Sequence, residues 1–325
     1  MNQPVQQFGR VGVLMGGYSS EREISLKSGK AVFEALIGAG CDALALDIRA
    51  QEEKRIAELI REAQMDVAFI TLHGRLGEDG VIQSILDGLN IPYTGSGPEA
   101  SRRAINKVTT QDLLRQHGIP VAPSFGVSRK EESSAATILK KIPQFPIVVK
   151  PSCEGSSIGV SLVRGPAGLE PALNLAWQYG DEALIEQYLE GRELTVGILD
   201  EMPLPVIEIC PKENFFDFNA KYQSGTTEYI LPAKLEEKVA DDIGRTALMT
   251  HRLLGCRDLS RVDFILDNQA RHYVLEINTI PGFTSMSLLP KAAKLLGINF
   301  EQLCLKLVKL AYGKKKESGT FTVGH

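Results

Sequence analysis

The first hundred residues alternate two kinds of segment, and that alternation limits the fold more than any other feature. Short apolar runs suited to strands fall at Arg10–Met15, Ala43–Ile48 and Val67–Leu72, with a brief last one at Pro92-Tyr93-Thr94. Between them lie segments of helical period: one from Glu21 with apolar spacing at Ile24, Leu26, Ala31, Val32 and Leu36, then Glu52–Ala63 and Gly80–Leu89. Strand–helix alternation predicts an α/β unit, a parallel sheet with helices on its faces. Such sheets bind ligands beyond the carboxyl ends of their strands. Two glycine-bearing loops sit there, Gly16–Glu21 and His73–Gly80. A lone histidine is more often structural, yet its place in such a loop makes His73 a candidate acid, base or hydrogen-bond donor.

Near Ser101 the pattern changes. Asn106–His117 reads as a helix and Ile147–Lys150 as a strand. The loop Pro151–Gly159 leads into a returning strand at Val160–Val163, and Leu169–Gln178 is again helical. Ala183–Glu190 reads as an extended, linker-like strand. From Glu193 to Asp267 the chain is largely β, with a helix over Leu235–Leu254. Leu288–Leu296 and Phe300–Ala311 read as closing helices, and Gly313 onward as a frayed polar tail.

Within the β-rich part, Arg261-Val-Asp263-Phe-Ile-Leu and Tyr273-Val-Leu-Glu276-Ile-Asn278 are joined by Asp267–Arg271, the pattern of a hairpin. Side chains alternate along a strand, so Arg261 and Asp263 share a face, as do Glu276 and Asn278. Val262, Phe264, Leu275 and Ile277 are left for the core. Two carboxylates about 4 Å apart repel by roughly 4 kcal/mol at an effective dielectric near 20. A cation between them removes that cost. Hard oxygen donors without His or Cys select Mg²⁺, which commonly shares its shell with phosphates. The same pattern also fits a surface hairpin with a solvated polar face.

Val148-Val149-Lys150 runs into Pro-Ser-Cys153-Glu154-Gly155-Ser156-Ser157-Ile-Gly159, a strand followed by a small-residue loop. Glycine and serine let backbone N–H groups approach an anion, and hydroxyls add donors. No G-x-x-x-x-G-K-[ST] occurs, so this is a phosphate-covering hairpin loop, with an ordinary flexible hairpin as the alternative. Lys150 and Lys107 are candidate phosphate contacts or solvated charges. Glu186-Gln187-Tyr188-Leu189, with Glu193 beyond, offers a strand edge for adenine and a carboxylate for ribose, or an amphipathic strand end. The long segment from Lys212 to Gly225 reads as a lid, or as a packed surface excursion. Pro281-Gly282 turns the chain, and Ser287 is placed to cap the helix that starts at Leu288. That helix N-terminus also suits a carboxylate ligand.

Composition narrows the function classes. The 325 residues carry a formal net charge of −4, against the basic excess that nucleic-acid or anionic-membrane binding needs. Five cysteines lie far apart with no C-x-x-C pair, the pattern of reduced thiols. The first apolar run, Val11–Met15, is too short for a signal core or a membrane span, so a cytoplasmic location is expected.

Several motifs in order resemble those of the D-alanine:D-alanine ligases of the ATP-grasp superfamily. They are Gly16-Gly17-x-Ser19-x-Glu21-Arg22-Glu23-x-Ser25, Leu72-His73-Gly74-Arg75-x-Gly77-Glu78-Asp79-Gly80, Tyr93-Thr94-Gly95-Ser96, Lys150-Pro-Ser-x-Glu-Gly-Ser156-Ser157, Ala220-Lys221-Tyr222 and the acidic hairpin. The resemblance covers Val11 to Leu310 and implies three domains: an N-terminal parallel α/β domain over 1–105, a small central α+β domain over 106–190, and a C-terminal antiparallel-sheet α+β domain over 191–312. ATP is then gripped between the last two. Lys107, Lys150, Ser157, Glu186, Gln187, Tyr188, Leu189, Glu193 and Lys221 would contact the nucleotide, and Asp263, Glu276 and Asn278 would bind two Mg²⁺ or Mn²⁺. Glu21 would hold the ammonium of a first D-alanine near His73. Ser156 and Tyr222 would join Glu21 in a hydrogen-bonded set. Arg261 and the Gly282 N–H would stabilise an oxyanion, and Ser287 would receive the carboxylate of a second D-alanine. The resemblance further implies a homodimer. Its departures are Ile105-Asn106, Cys153 and Gln187-Tyr188, none of which removes a proposed charge.

Overall fold

Every residue of β1 (Val11–Gly16) is buried, as befits the middle of a parallel sheet covered on both faces. The computed structural model describes residues 8–130, 135–211 and 227–318. β1 pairs in parallel with β2 (Ala43–Ile48) on one side and β3 (Val67–Ile70) on the other. The short run at Tyr93 adds a single parallel bridge to Ala68. Helix Arg22–Gly38 covers one face, and the last helix, Phe300–Ser318, packs across it and against β3. Leu303, Leu307 and Val308 thereby join Val13, Val32, Leu36 and Phe69 in one core. The chain's two ends thus complete each other. That helix also continues past Ala311, where a frayed tail was expected from Gly313; lysine is a good helix former, and one glycine costs only about 1 kcal/mol.

The central sheet is antiparallel, in the order β4 (Ser124–Ser128), β7 (Glu182–Gln187), β5 (Ile147–Pro151), β6 (Ser161–Val163). The segment expected to be linker-like is therefore an inner strand. Its run Ala183-Leu184-Ile185-Glu186 is buried throughout, because both β7 edges are paired and its faces covered.

The third sheet has the path β11 (Thr227–Ile230), β10 (Ile207–Pro211), β8 (Arg192–Leu199), β12 (Leu259–Leu266), β13 (His272–Asn278), with the short β9 (Met202–Pro203) also paired to β8. Leu194, Val196, Ile198, Val262, Phe264 and Ile277 fill one face and pack on Ile243 and Ala247 of helix Glu237–Leu253. The other face carries the polar residues of the hairpin. One expectation fails here. The β12–β13 register runs Arg261↔Asn278, Val262↔Ile277, Asp263↔Glu276, then shifts to Phe264↔Val274. This β-bulge leaves Leu275 unpaired and re-aims it. Val274 is fully buried in the core in its place, and Leu275 lines a cavity.

Candidate active site

Two adjoining cavities, of about 630 and 400 Å³, lie over that polar face. Lys107, Glu154, Glu193, Ile209, Asp263 and Glu276 line both, so the acidic hairpin forms the floor where the two meet. Asp263 and Glu276 are direct cross-strand partners, as the alternation required. Arg261 grips Asp263 with both arms: Nε donates to Oδ1 at 2.9 Å and Nη2 to Oδ2 at 2.7 Å. Glu276 faces Lys107 Nζ at 3.3 Å. Burial alone would lower the Lys107 pKa, but the Glu276 carboxylate outweighs it and holds the value above that of an ordinary lysine. Asn278 stands beside Arg261 in register and also lines the larger cavity. Two carboxylates and an amide on one face fit a hard divalent ion, and so small a set leaves positions for phosphate oxygens.

The smaller cavity has an apolar wall of Val148, Val160, Leu189, Ile209, Ile265 and Leu275. Lys150, at the end of β5, pairs with Glu186 on β7 at 2.7 Å, both side chains being buried. Glu186 Oε2 is also buried and, among the described residues, has no hydrogen-bond partner. An acceptor left unmatched in this way costs about 1–3 kcal/mol until a ligand N–H reaches it. Tyr188, Leu189, Glu193 and Ser157 line the same space. Gln187 lines it too, its amide donating to the Pro146 carbonyl at 2.9 Å. Lys107 reaches the site because Asn106 caps its helix, accepting from Thr109 N–H at 2.8 Å, and because Lys107 N–H donates to the Ser152 carbonyl of the phosphate loop at 2.8 Å. Its ammonium also donates to the Glu154 carbonyl at 2.7 Å.

The larger cavity adds groups from the parallel sheet. Glu21 accepts a hydrogen bond from Ser156 of the phosphate loop, joining residues 135 positions apart. Ser156 and Ser157 hold φ of +53° and +58°, a left-handed backbone that costs roughly 1–2 kcal/mol per residue. Two glycines close around the Glu21 carboxylate. A Cβ on Gly74, whose φ is +63°, would lie 3.0 Å from Glu21 Oε2, and one on Gly155 would lie 3.2 Å from it. His73 is buried, and both ring nitrogens meet protein groups: Nδ1 faces the Ile280 carbonyl at 2.9 Å and Nε2 the Ser28 hydroxyl at 3.2 Å. A carbonyl only accepts, so Nδ1 carries a proton toward Ile280.

Ser287 occupies the N-cap position of helix Leu288–Leu295 but does not cap it as expected. A tight turn directs its hydroxyl to Thr284, whose N–H donates to Ser287 Oγ at 3.0 Å. Gly282 and Ser287 both line the larger cavity. Lys221, Tyr222 and the lid expected over 212–225 lie outside the described residues.

Three residues at the site were not singled out from sequence. Glu78 lies 3.9 Å from His73 Nδ1, and burial raises its pKa despite the opposing influence of His73. Glu154 is likewise raised by burial, against the pull of Arg75 at 3.6 Å. Thr195 stands on β8 directly opposite Asp263, its hydroxyl 2.6 Å from Asp263 Oδ1. Glu78 and Glu154 stand in the quoted motifs, and Thr195 follows Glu193 at the alternation that faces the site.

The family model described as D-ala D-ala ligase C-terminus matches residues 113–309, and the one described as D-ala D-ala ligase N-terminus matches residues 46–96. The D-alanine–D-alanine ligase of Geotalea uraniireducens is 45% identical over 302 residues, 93% of this chain and 95% of that one. The crystal structure of the D-alanine–D-alanine ligase from Bacillus anthracis aligns with a TM-score of 0.85 at 33% identity, covering 96% of this chain and all of that one (100%). The structure of the Bacillus anthracis enzyme complexed with ATP aligns at 0.83 and 30% identity, with 96% and 100% covered. With matches of this extent in sequence and in fold, the chain belongs to the D-ala D-ala ligase family.

Proposed function

We propose that this chain joins two D-alanines into D-alanyl-D-alanine with conversion of ATP to ADP and phosphate, supplying peptidoglycan precursors. The observation that carries this reading is the Asp263–Glu276 pair, with Lys107 above it, at the floor shared by both cavities. The smaller cavity takes the nucleotide: adenine lies in the apolar slot, Glu186 Oε2 accepts from its amine, and Glu193 meets the ribose. Lys107 and Lys150 neutralise phosphate oxygens, exchanging their present carboxylate partners for stronger anions. Mg²⁺ or Mn²⁺, in two sites built from Asp263, Glu276 and Asn278, would add charge neutralisation at the phosphates.

In the larger cavity Glu21, held by Ser156, takes the ammonium of the first D-alanine, and His73 orients it. The carboxylate oxygen of that substrate bonds to the γ-phosphorus as ADP leaves. The amine of the second D-alanine, whose carboxylate sits at the Ser287 helix N-terminus, then attacks the acyl carbon. Arg261 and the Gly282 N–H stabilise the oxyanion so formed, and its collapse forms the amide and expels phosphate. The acyl phosphate hydrolyses if wet, so closure by 212–225, with Lys221 at the phosphates and Tyr222 at Glu21, belongs to the same reading. Among the described residues no helix is long and apolar enough to cross a membrane. The proposal extends to a cytoplasmic homodimer.

Phosphate release with ATP and D-alanine alone is the direct test. Turnover is expected. Silence with D-alanine alone, combined with turnover when D-alanine is mixed with another amino or hydroxy acid, would refute the choice of acceptor.

A further inference from the structure

Thr195 sits in the middle of β8, 1% exposed, and lines neither cavity. Its neighbours Leu194 and Val196 enter the core beneath the sheet, so alternation turns Thr195 to the face that bears the acids. The register sets it directly opposite Asp263, which in turn lies opposite Glu276. Thr195 Oγ1 approaches Asp263 Oδ1 at 2.6 Å, and among the described residues its other acceptor is the Val262 carbonyl, farther off at 3.4 Å. A hydroxyl has one proton to give, and the short contact to an anion takes it.

Asp263 is held from two sides. On its own strand is Arg261, which lines the larger cavity and must turn toward the reacting group to act on an oxyanion. On the neighbouring strand is Thr195, enclosed in the sheet, with the stiff χ1 of a β-branched side chain. The threonine donor stays in place when the arginine moves. Valine has the same shape and suits an inner strand as well, so folding alone does not call for the hydroxyl.

We propose that Thr195 is a positioning residue, its hydroxyl fixing the Asp263 carboxylate in one orientation so that the carboxylate remains a competent metal ligand after Arg261 lets go. This rests on the reading of Asp263 as a ligand for a divalent ion.

The test uses the full chain with Thr195→Val, and with Thr195→Ser and Thr195→Ala, two variants that differ from each other only in the hydroxyl. Mn²⁺ is titrated in the presence of ADP, and free Mn²⁺ is read by electron paramagnetic resonance. Thr195→Ser should bind Mn²⁺ like the parent, while the Val and Ala variants should bind about 10- to 100-fold more weakly. Affinity for ADP without metal should be equal in all four proteins. Should Thr195→Val fail to fold, the Ser and Ala pair makes the same comparison. Parent-like Mn²⁺ affinity in Thr195→Ala, or equal weakness in Thr195→Ser, overturns the positioning role alone. An Asp263→Asn variant that binds Mn²⁺ like the parent removes Asp263 from the metal set and overturns both readings.

Discussion

Replacing Lys150 by methionine separates what the buried Lys150–Glu186 pair does for stability from what it does for the nucleotide. Their charged atoms lie 2.7 Å apart, and the two side chains are only 8% and 6% exposed. Glu186 Oε2 already lacks a partner among the described residues, so losing the ammonium strands both oxygens of a buried carboxylate. Breaking such a pair from one side costs about 3–5 kcal/mol, a large share of the 5–15 kcal/mol that holds a typical domain together. Removing both charges is far cheaper, because well-packed apolar replacements of a buried pair are often neutral. Urea unfolding of Lys150→Met, Glu186→Leu and the double variant forms a cycle. The Lys150→Met protein should lose about 3–5 kcal/mol and the double variant should recover most of it. Affinity for ATP should follow a different order. One charge-assisted hydrogen bond of about 1.5–3 kcal/mol corresponds to roughly 10- to 100-fold in Kd; both lysine-lacking proteins should show at least that loss, the double variant more because the acceptor for the adenine amine is gone too. A double variant as unstable as Lys150→Met, or one with parent-like ATP affinity, would refute the reasoning.

Two further perturbations address the substrate side of the site. Gly74→Ala should cost roughly 1–2 kcal/mol for its left-handed backbone and should also raise KM for D-alanine, because the new methyl crowds Glu21. Gly40→Ala, at φ +82° with nothing within 4 Å, is the control that should lose stability with KM unchanged; equal KM effects in the two would contradict the crowding of Glu21. Glu78 has a folded pKa raised by burial, so its favourable contribution is complete below the unfolded value, about 4.3, and is lost as pH rises through the folded one. Glu78→Gln should therefore stabilise the protein near pH 7, by about 1–3 kcal/mol, and lose that advantage in acid. An advantage that grows on acidification would show the sign to be wrong.

How much of this was legible beforehand depended on the length scale of the signal. Asp263 and Glu276 could be placed together because strand alternation is local and a five-residue turn leaves few registers. Leu275 could not be placed, since an extra residue in one strand leaves no mark on the apolar pattern of Tyr273 to Ile277. Ser287 has the residue type and position of a helix cap, but the turn at Thr284 claims its hydroxyl, a competition between two local bonds that composition does not reveal. Glu21 shows the opposite limit. Nothing near it in sequence marks it as a ligand; it meets Ser156 only once the parallel sheet and the phosphate loop are assembled, and the family motif had to supply it. The final helix was legible as a helix, but its seat on helix Arg22–Gly38 was not, because a polar tail after Ala311 hides a packing face already complete by that residue.

The reading of the acidic hairpin as the seat of a divalent ion against a triphosphate meets its most direct test in Glu276→Gln. The substitution keeps size and hydrogen-bonding capacity while removing the charge that faces both Asp263 and Lys107. ATP- and D-alanine-dependent phosphate release, measured as Mg²⁺ is titrated and alongside circular dichroism, should fall by about 10²-fold or more with the fold intact. Near-parent rates with unchanged Mg²⁺ dependence would contradict it.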